Sequence, residues 1–589
     1  MRRFVLGFFT LIGIMTMLAF VGIGVVVWRL AASGPSLPGT IVLSAELSSG
    51  LAEGAGQDPV SELVFGGETT LRDFLDALER AGSDPRVKGL YVRLGGDTLG
   101  LARCQEVRDA VRDFRAKGKF AIAYTESFGE SGPGTRPYYL ATAFDEIWLQ
   151  PLGSLGLIGL HSQIPFLRGA LDRLGILPSF NTREEYKTAT NSLTETAMTP
   201  PQREEVEDLL RATSGQIVRG IASARNLSEA EVTALIDRGP LLAGEALTAR
   251  LIDRIGYRDE AVSRVRERAG SSAELVSLSR YLESAGRPHD SGPTIALIYG
   301  TGLLTAGSSN PAPLLDNATL SAREVGRAFR QASGDPKVRA ILFRIDSPGG
   351  SAVASETLWR EIARARDRGK PVIVSMGDVA GSGGYYIAAP ADKIVAQPAT
   401  LTGSIGVLAG KLVVSGLLHK LGITDDSAQR GANAAMFSVF EDFSPAARQR
   451  LDAFLDEVYR GFKEHVATGR HLSEEKVEAA AKGRVWTGEE AKENGLVDEL
   501  GGYDVALRLA KEAAKIAADK PFTLTVFPRE KGTIAAIYDR LSNVDRDSDA
   551  AAPAAVQRMT AGMARLLSGI ATLVGDPGVL HMPPLGEIR

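Results

Sequence analysis

Two glycine turns, each containing a serine, lie close together in the second half of this chain. Ser347-Pro348-Gly349-Gly350-Ser351 directly follows the apolar run Ile341–Ile345, and Gly377–Tyr386 reads Gly-Asp-Val-Ala-Gly-Ser-Gly-Gly-Tyr-Tyr. Acyl transfer needs a nucleophile and donors for the oxyanion that forms on the attacked carbonyl. Ser382, flanked by glycines, leaves its Oγ uncovered by neighbouring side chains, and the backbone N–H groups of Gly350 and Gly383 are candidate oxyanion donors. Each such donor is worth about 2.7–4 kcal/mol of barrier. Alone, Gly-Ser-Gly-Gly is more readily a tight strand-to-helix turn; a second glycine turn one strand away favours the chemical reading.

A serine also needs a base within hydrogen-bond reach. The stretch Gln397–Val407 contains no histidine, and His419 on the next helical run reads as a surface or core residue. Lysine serves as a base when burial lowers its pKa. Among the many lysines, spacing alone does not choose one.

The elements that must position these groups alternate between strand and helix. Ile341–Ile345 is followed by an amphipathic run over 352–368, then by strand-like Pro371–Ser375, helix-like Gly383–Ala389 and strand-like Lys393–Ala396. This order predicts an α/β fold with right-handed βαβ units on a mainly parallel sheet. The pattern occurs twice. Asp84-Pro85-Arg86-Val87-Lys88-Gly89-Leu90 recurs as Asp335-Pro336-Lys337-Val338-Arg339-Ala340-Ile341. Gly118-Lys119, Tyr138-Tyr139 and Asp145-Glu146-Ile147 recur as Gly369-Lys370, Tyr385-Tyr386 and Asp392-Lys393-Ile394. Such a long period means a duplicated domain. Where the second copy has Gly381-Ser382-Gly383-Gly384, the first has Gly134-Thr135-Arg136-Pro137, so the first is expected to have lost the nucleophile.

With 589 residues, 44% of them hydrophobic, the chain has material for several packed domains. A net charge of −4 argues against a nucleic-acid partner. Cys104 is the sole cysteine, so neither an intramolecular disulfide nor a cysteine metal cage forms, and the scattered histidines imply no metal site. Phe4–Trp28 carries no charge and is long enough to span a bilayer; Arg2 and Arg3 before it place the N-terminus in the cytoplasm and the rest outside the inner membrane. A cleavable signal peptide is the rival reading, with Ala31-Ala32-Ser33 as small residues. The expected organisation is an anchor over 1–30, a first repeat over 31–290, a second over 291–525 and a tail over 526–589, with the polar stretch 271–292 joining the repeats. Within the tail, 555–574 reads as a helix. Its only basic residues are Arg558 and Arg565, which favours packing or disorder over a membrane surface.

Ser347–Ser351, Gly381–Ile387, Thr402-Gly403-Ser404-Ile405-Gly406-Val407 and the duplication behind an apolar N-terminus resemble the bacterial signal peptide peptidase A family in its long tandem form. The resemblance implies two Clp/crotonase-like domains and a Ser-Lys dyad without cofactor. Ser382 matches the family's serine, and Tyr186-Lys187-Thr188-Ala189 matches its lysine motif in the first copy, which makes Lys187 the general base. The family's usual Glu-Pro a little further on is replaced by Asn191-Ser192, and the corresponding part of the second copy, Gly431–Ala435, has no lysine. The resemblance further implies signal peptides as substrates, the inner membrane as location and a homotetramer. Two other readings remain open: a crotonase-like acyl-CoA enzyme using the glycine turns alone, and a non-catalytic membrane scaffold.

Overall fold

The computed structural model describes residues 37–54, 69–130, 132–307, 319–529, 579–581 and 587–588. Phe4–Trp28 and the helix expected over 555–574 lie outside them. Among the described residues, no helix is long and apolar enough to cross a membrane.

Two parallel sheets with the same strand order form the frame. In the first, the order is Glu274–Ser277, Ile41–Glu46, Val87–Arg93, Phe120–Thr125, Glu146–Leu149 and Arg254–Ile255. In the second, it is Thr523–Phe527, Thr294–Thr301, Val338–Ser347, Val372–Gly381, Lys393–Ala396 and Glu499–Leu500. Helices cover both faces, which is why runs such as Phe120–Thr125 are buried at every position instead of alternating. Each copy also has a 26-residue helix, Pro200–Arg225 or Pro445–Arg470, that opens with proline and ends at a left-handed cap, Asn226 or His471.

The residues that recur do the same work in both copies. Lys119 Nζ donates to the carbonyls of Asp84 and Val87 at 2.8 and 2.6 Å, as Lys370 Nζ does to Asp335 and Val338 at 3.2 and 2.5 Å. The carboxylates of Asp145 and Asp392 accept the N–H groups that begin the neighbouring strands, Ala121 at 2.7 Å and Val372 at 2.8 Å. The hydroxyls of Tyr138 and Tyr385, buried in the cores, donate to Leu251 and Leu496 carbonyls at 2.8 and 2.9 Å. Buried donors and acceptors of this kind are costly to leave unpaired, so their partners recur with them.

The polar stretch 271–292 is more than a linker. It supplies the edge strand Glu274–Ser277 and the helix Leu278–Ala285, which buries Leu278, Tyr281 and Leu282. Its apolar side chains are too few to read as core in one dimension, yet they fall on one helical face.

The two copies are interlocked. Strand Leu177–Thr182 of the first pairs antiparallel with Leu408–Val413 of the second over six residues. A buried cluster joins them elsewhere: Arg344 donates to Glu53 and Glu106 at 2.9 and 2.8 Å, and Arg103 pairs with Asp378. Val579–His581 adds antiparallel to Gly349–Ser351, and Glu587–Ile588 to Ser162–Gln163 of the first copy.

Candidate active site

Strand Val372–Gly381 runs further than its apolar part suggests, up to the serine itself, and helix Gly383–Ala388 begins immediately afterwards. Ser382 takes the sharp turn between them at φ 53° and ψ −116°, a conformation that a non-glycine residue holds only when its surroundings enforce it. Here its N–H donates to Gly403 O at 2.8 Å and its carbonyl accepts Tyr386 N–H at 2.8 Å. The flanking glycines suggest an exposed Oγ; in the folded chain Ser382 is instead 0% exposed, because the other copy closes over it.

Closing over it is Lys187, 1% exposed. Its Nζ lies 2.8 Å from Ser382 Oγ and 2.9 Å from both the carbonyl and the hydroxyl oxygen of Ser404. A neutral amine has two N–H donors and one lone pair. With both donors directed to Ser404, the lone pair faces the serine proton. Burial lowers the Lys187 pKa well below that of an ordinary lysine, which favours this neutral form. Gly483 permits the approach: at φ +80° it lies where a Cβ would stand 2.5 Å from Lys187 N. The Asn191-Ser192 departure is accommodated locally, since Asn191 Nδ2 donates to Thr199 Oγ1 at 3.2 Å and Gln202 Oε1 at 3.1 Å.

The two candidate oxyanion donors come together as well. A Cβ on Gly383 would stand 3.1 Å from Gly350 N, and Gly383, as the first helical residue, has an N–H without an intrahelical acceptor. Gly350 itself admits no side chain, because a Cβ there would lie 2.2 Å from Leu304 O. At the corresponding place in the first copy, Arg136 pairs with Asp97 at 2.6 Å, and Asp97 and Pro137 line the same pocket.

Ser404 is a site residue that chemical reasoning from the sequence passes over. It stands at φ 51° and donates its N–H to Arg484 O at 2.7 Å. Its place in Thr402–Val407 was the available signal, but only the fold shows that both its oxygens face Lys187. Replacing Ser404 by alanine leaves the carbonyl and removes one anchor of Nζ, so kcat is expected to fall about tenfold with KM little changed, as steady-state peptide hydrolysis would read.

A serine, a buried amine and two converging amides on an α/β frame are the arrangement that a hydrolase of the serine-nucleophile class requires. The chain belongs to peptidase family S49, whose model matches residues 113–272 and 364–517, one stretch in each copy, and it is a serine peptidase. It is 32% identical over 507 residues to Protease 4 of Salmonella typhi, covering 84% of this chain and 79% of that protein. It is 31% identical over 474 residues to the chloroplastic serine protease SPPA of Arabidopsis thaliana, covering 79% and 69%. Among solved structures, a ClpP1 mutant from Listeria monocytogenes is similar at 15% identity and a TM-score of 0.23, covering 35% of this chain and 92% of that one.

Proposed function

We propose that the chain is a membrane-anchored endopeptidase in which Ser382 is the nucleophile and Lys187 the general base. The separation of 2.8 Å between Nζ and Oγ, in a pocket whose burial lowers the pKa of the amine, carries this reading. As Ser382 Oγ attacks the scissile carbonyl carbon, its proton passes to Lys187 Nζ, and the oxyanion is received by Gly350 and Gly383 N–H. The lysinium returns the proton to the leaving amine as the C–N bond breaks. Water then attacks the ester, giving a proton to Lys187, and Ser382 is released with it. No cofactor enters these steps.

The substrates we assign are cleaved signal peptides left in the inner membrane. The charge-free run Phe4–Trp28 supports an anchor over 1–30 that holds both repeats, 31–290 and 291–525, against the outer face of that membrane. The likeness to long signal peptide peptidases supports the substrate class and a homotetramer. In membrane vesicles loaded with a labelled signal peptide, the wild type is expected to release short fragments; persistence of the intact peptide would sink the assignment.

The edge Gly349–Ser351 is where an extended peptide would add to the sheet next to Ser382, and Val579–His581 occupies it. Removing residues 577–589 is therefore expected to lower KM for short peptides about tenfold. An unchanged KM would mean that substrates use another edge.

A further inference from the structure

Behind Lys187 lies Glu205, in the second turn of helix Pro200–Arg225 and 1% exposed. Its Oε1 accepts Val485 N–H at 2.6 Å, while its Oε2 is buried without a hydrogen-bond partner. Val485 follows Arg484, whose carbonyl accepts the Ser404 N–H at 2.7 Å, and Ser404 in turn holds Lys187 Nζ. A short chain of contacts thus runs from this carboxyl to the base.

One amide acceptor does not require a carboxylic acid, and an ionised carboxylate whose second oxygen is buried away from protein donors is costly. The charged groups acting on Glu205 are Lys187 and Arg484. Arg484 is already engaged, by Glu204 at 3.2 Å and by Asp208, and it lies over the Tyr186 ring. On the other side, Glu205 is the charged group that acts on Lys187, and its negative form would favour lysinium. Lysinium has no lone pair and cannot accept the serine proton.

Resting on the Ser382–Lys187 reading, we propose that Glu205 is a positioning residue that serves the base in its protonated, uncharged form. Its hydrogen bond sets the segment that carries Ser404, and its neutrality keeps Lys187 free of a counter-charge. Burial pushes the Glu205 carboxyl up to about 8, in the same sense.

The test is the pH dependence of kcat/KM and of fluorophosphonate labelling in the wild type, Glu205→Gln and Lys187→Met. Glutamine keeps an acceptor for Val485 and cannot ionise. Glu205→Gln should retain kcat within about twofold and leave the acid limb in place, because one uncharged group replaces another, while the loss of activity that ionisation of the wild-type carboxyl causes on the alkaline side should disappear. A loss of 100-fold or more, or an acid limb that moves to lower pH, would show that the wild-type group is a charged carboxylate beside Lys187 and overturn the inference. An alkaline loss that persists unchanged in Glu205→Gln would reduce Glu205 to an acceptor for Val485 and overturn it equally.

Thermal melting checks that Glu205→Gln folds. If it does not, Glu205→Asp keeps the titrating group but shortens its reach to Val485; kcat should fall about tenfold while the limb stays in place. An unchanged kcat, or a limb at lower pH, in that variant would refute the proposal. Failure of the dyad itself would look different, because Lys187→Met would then still be labelled.

Discussion

Replacing Ser382 by alanine is expected to abolish peptide hydrolysis, lowering kcat by about 10⁴-fold or more, and to remove fluorophosphonate labelling altogether. The size follows from the site's economy. Ser382 Oγ is the atom that Lys187 Nζ addresses at 2.8 Å, and the corresponding position of the first copy carries Thr135, whose hydroxyl donates to Gly159 O at 3.0 Å. No second nucleophile replaces it there. Folding should survive, because the Ser382 backbone makes the bonds that hold the turn, to Gly403 and Tyr386. An alanine at φ 53° costs of order 1 kcal/mol, little beside the loss of chemistry. Labelling that persists in Ser382→Ala would transfer the nucleophile to another residue.

The second large effect belongs to Lys187. In the wild type, kcat/KM is expected to rise with pH through one ionisation that lies well below that of a free lysine, since the amine must be neutral to take the serine proton. Activity is present above that pKa and lost below it. Lys187→Met fills similar volume, adds no charge, and should lower kcat about as far as Ser382→Ala does. The double variant should be no worse than either single one, because the two groups act as a unit. Lys187→Arg should fail as well, because a guanidinium does not deprotonate at working pH. A Lys187→Met enzyme that kept its pH limb would remove the lysine from the mechanism.

How a lysine in such a setting comes to be buried is a matter of tertiary structure. Arg183-Glu184-Glu185-Tyr186-Lys187 has the composition of a solvated surface run, and the other four side chains stay at the surface, Glu184 and Glu185 exposed and Arg183 and Tyr186 half-buried. Arg183 pairs with Asp452 and Asp456, Glu185 with Lys482, and Tyr186 lies under Arg484. Lys187 alone turns inward, because Leu177–Thr182 is stitched to Leu408–Val413 and delivers the following loop onto the serine turn. Glu205 shows the same thing. On a helix rich in charged residues, nothing in its spacing separates it from the exposed Glu204 and Glu207 flanking it.

The sequence by itself determined the duplicated α/β plan, since recurrent turns, lysines, tyrosines and aspartates each satisfy a local need that repeats with the fold. It also singled out Ser382 and the glycines beside it, because a nucleophile at a sharp turn and amides at close approach leave a signature within a few residues. The tertiary structure decided the geometry of the inner shell, of which the sequence had offered Lys187 only through the family resemblance. It set Lys187 against Ser382, turned both oxygens of Ser404 to Nζ and put Glu205 behind them. These groups come from segments far apart in the chain, and their protonation depends on burial, which is a property of the packed repeats and not of any one stretch of residues.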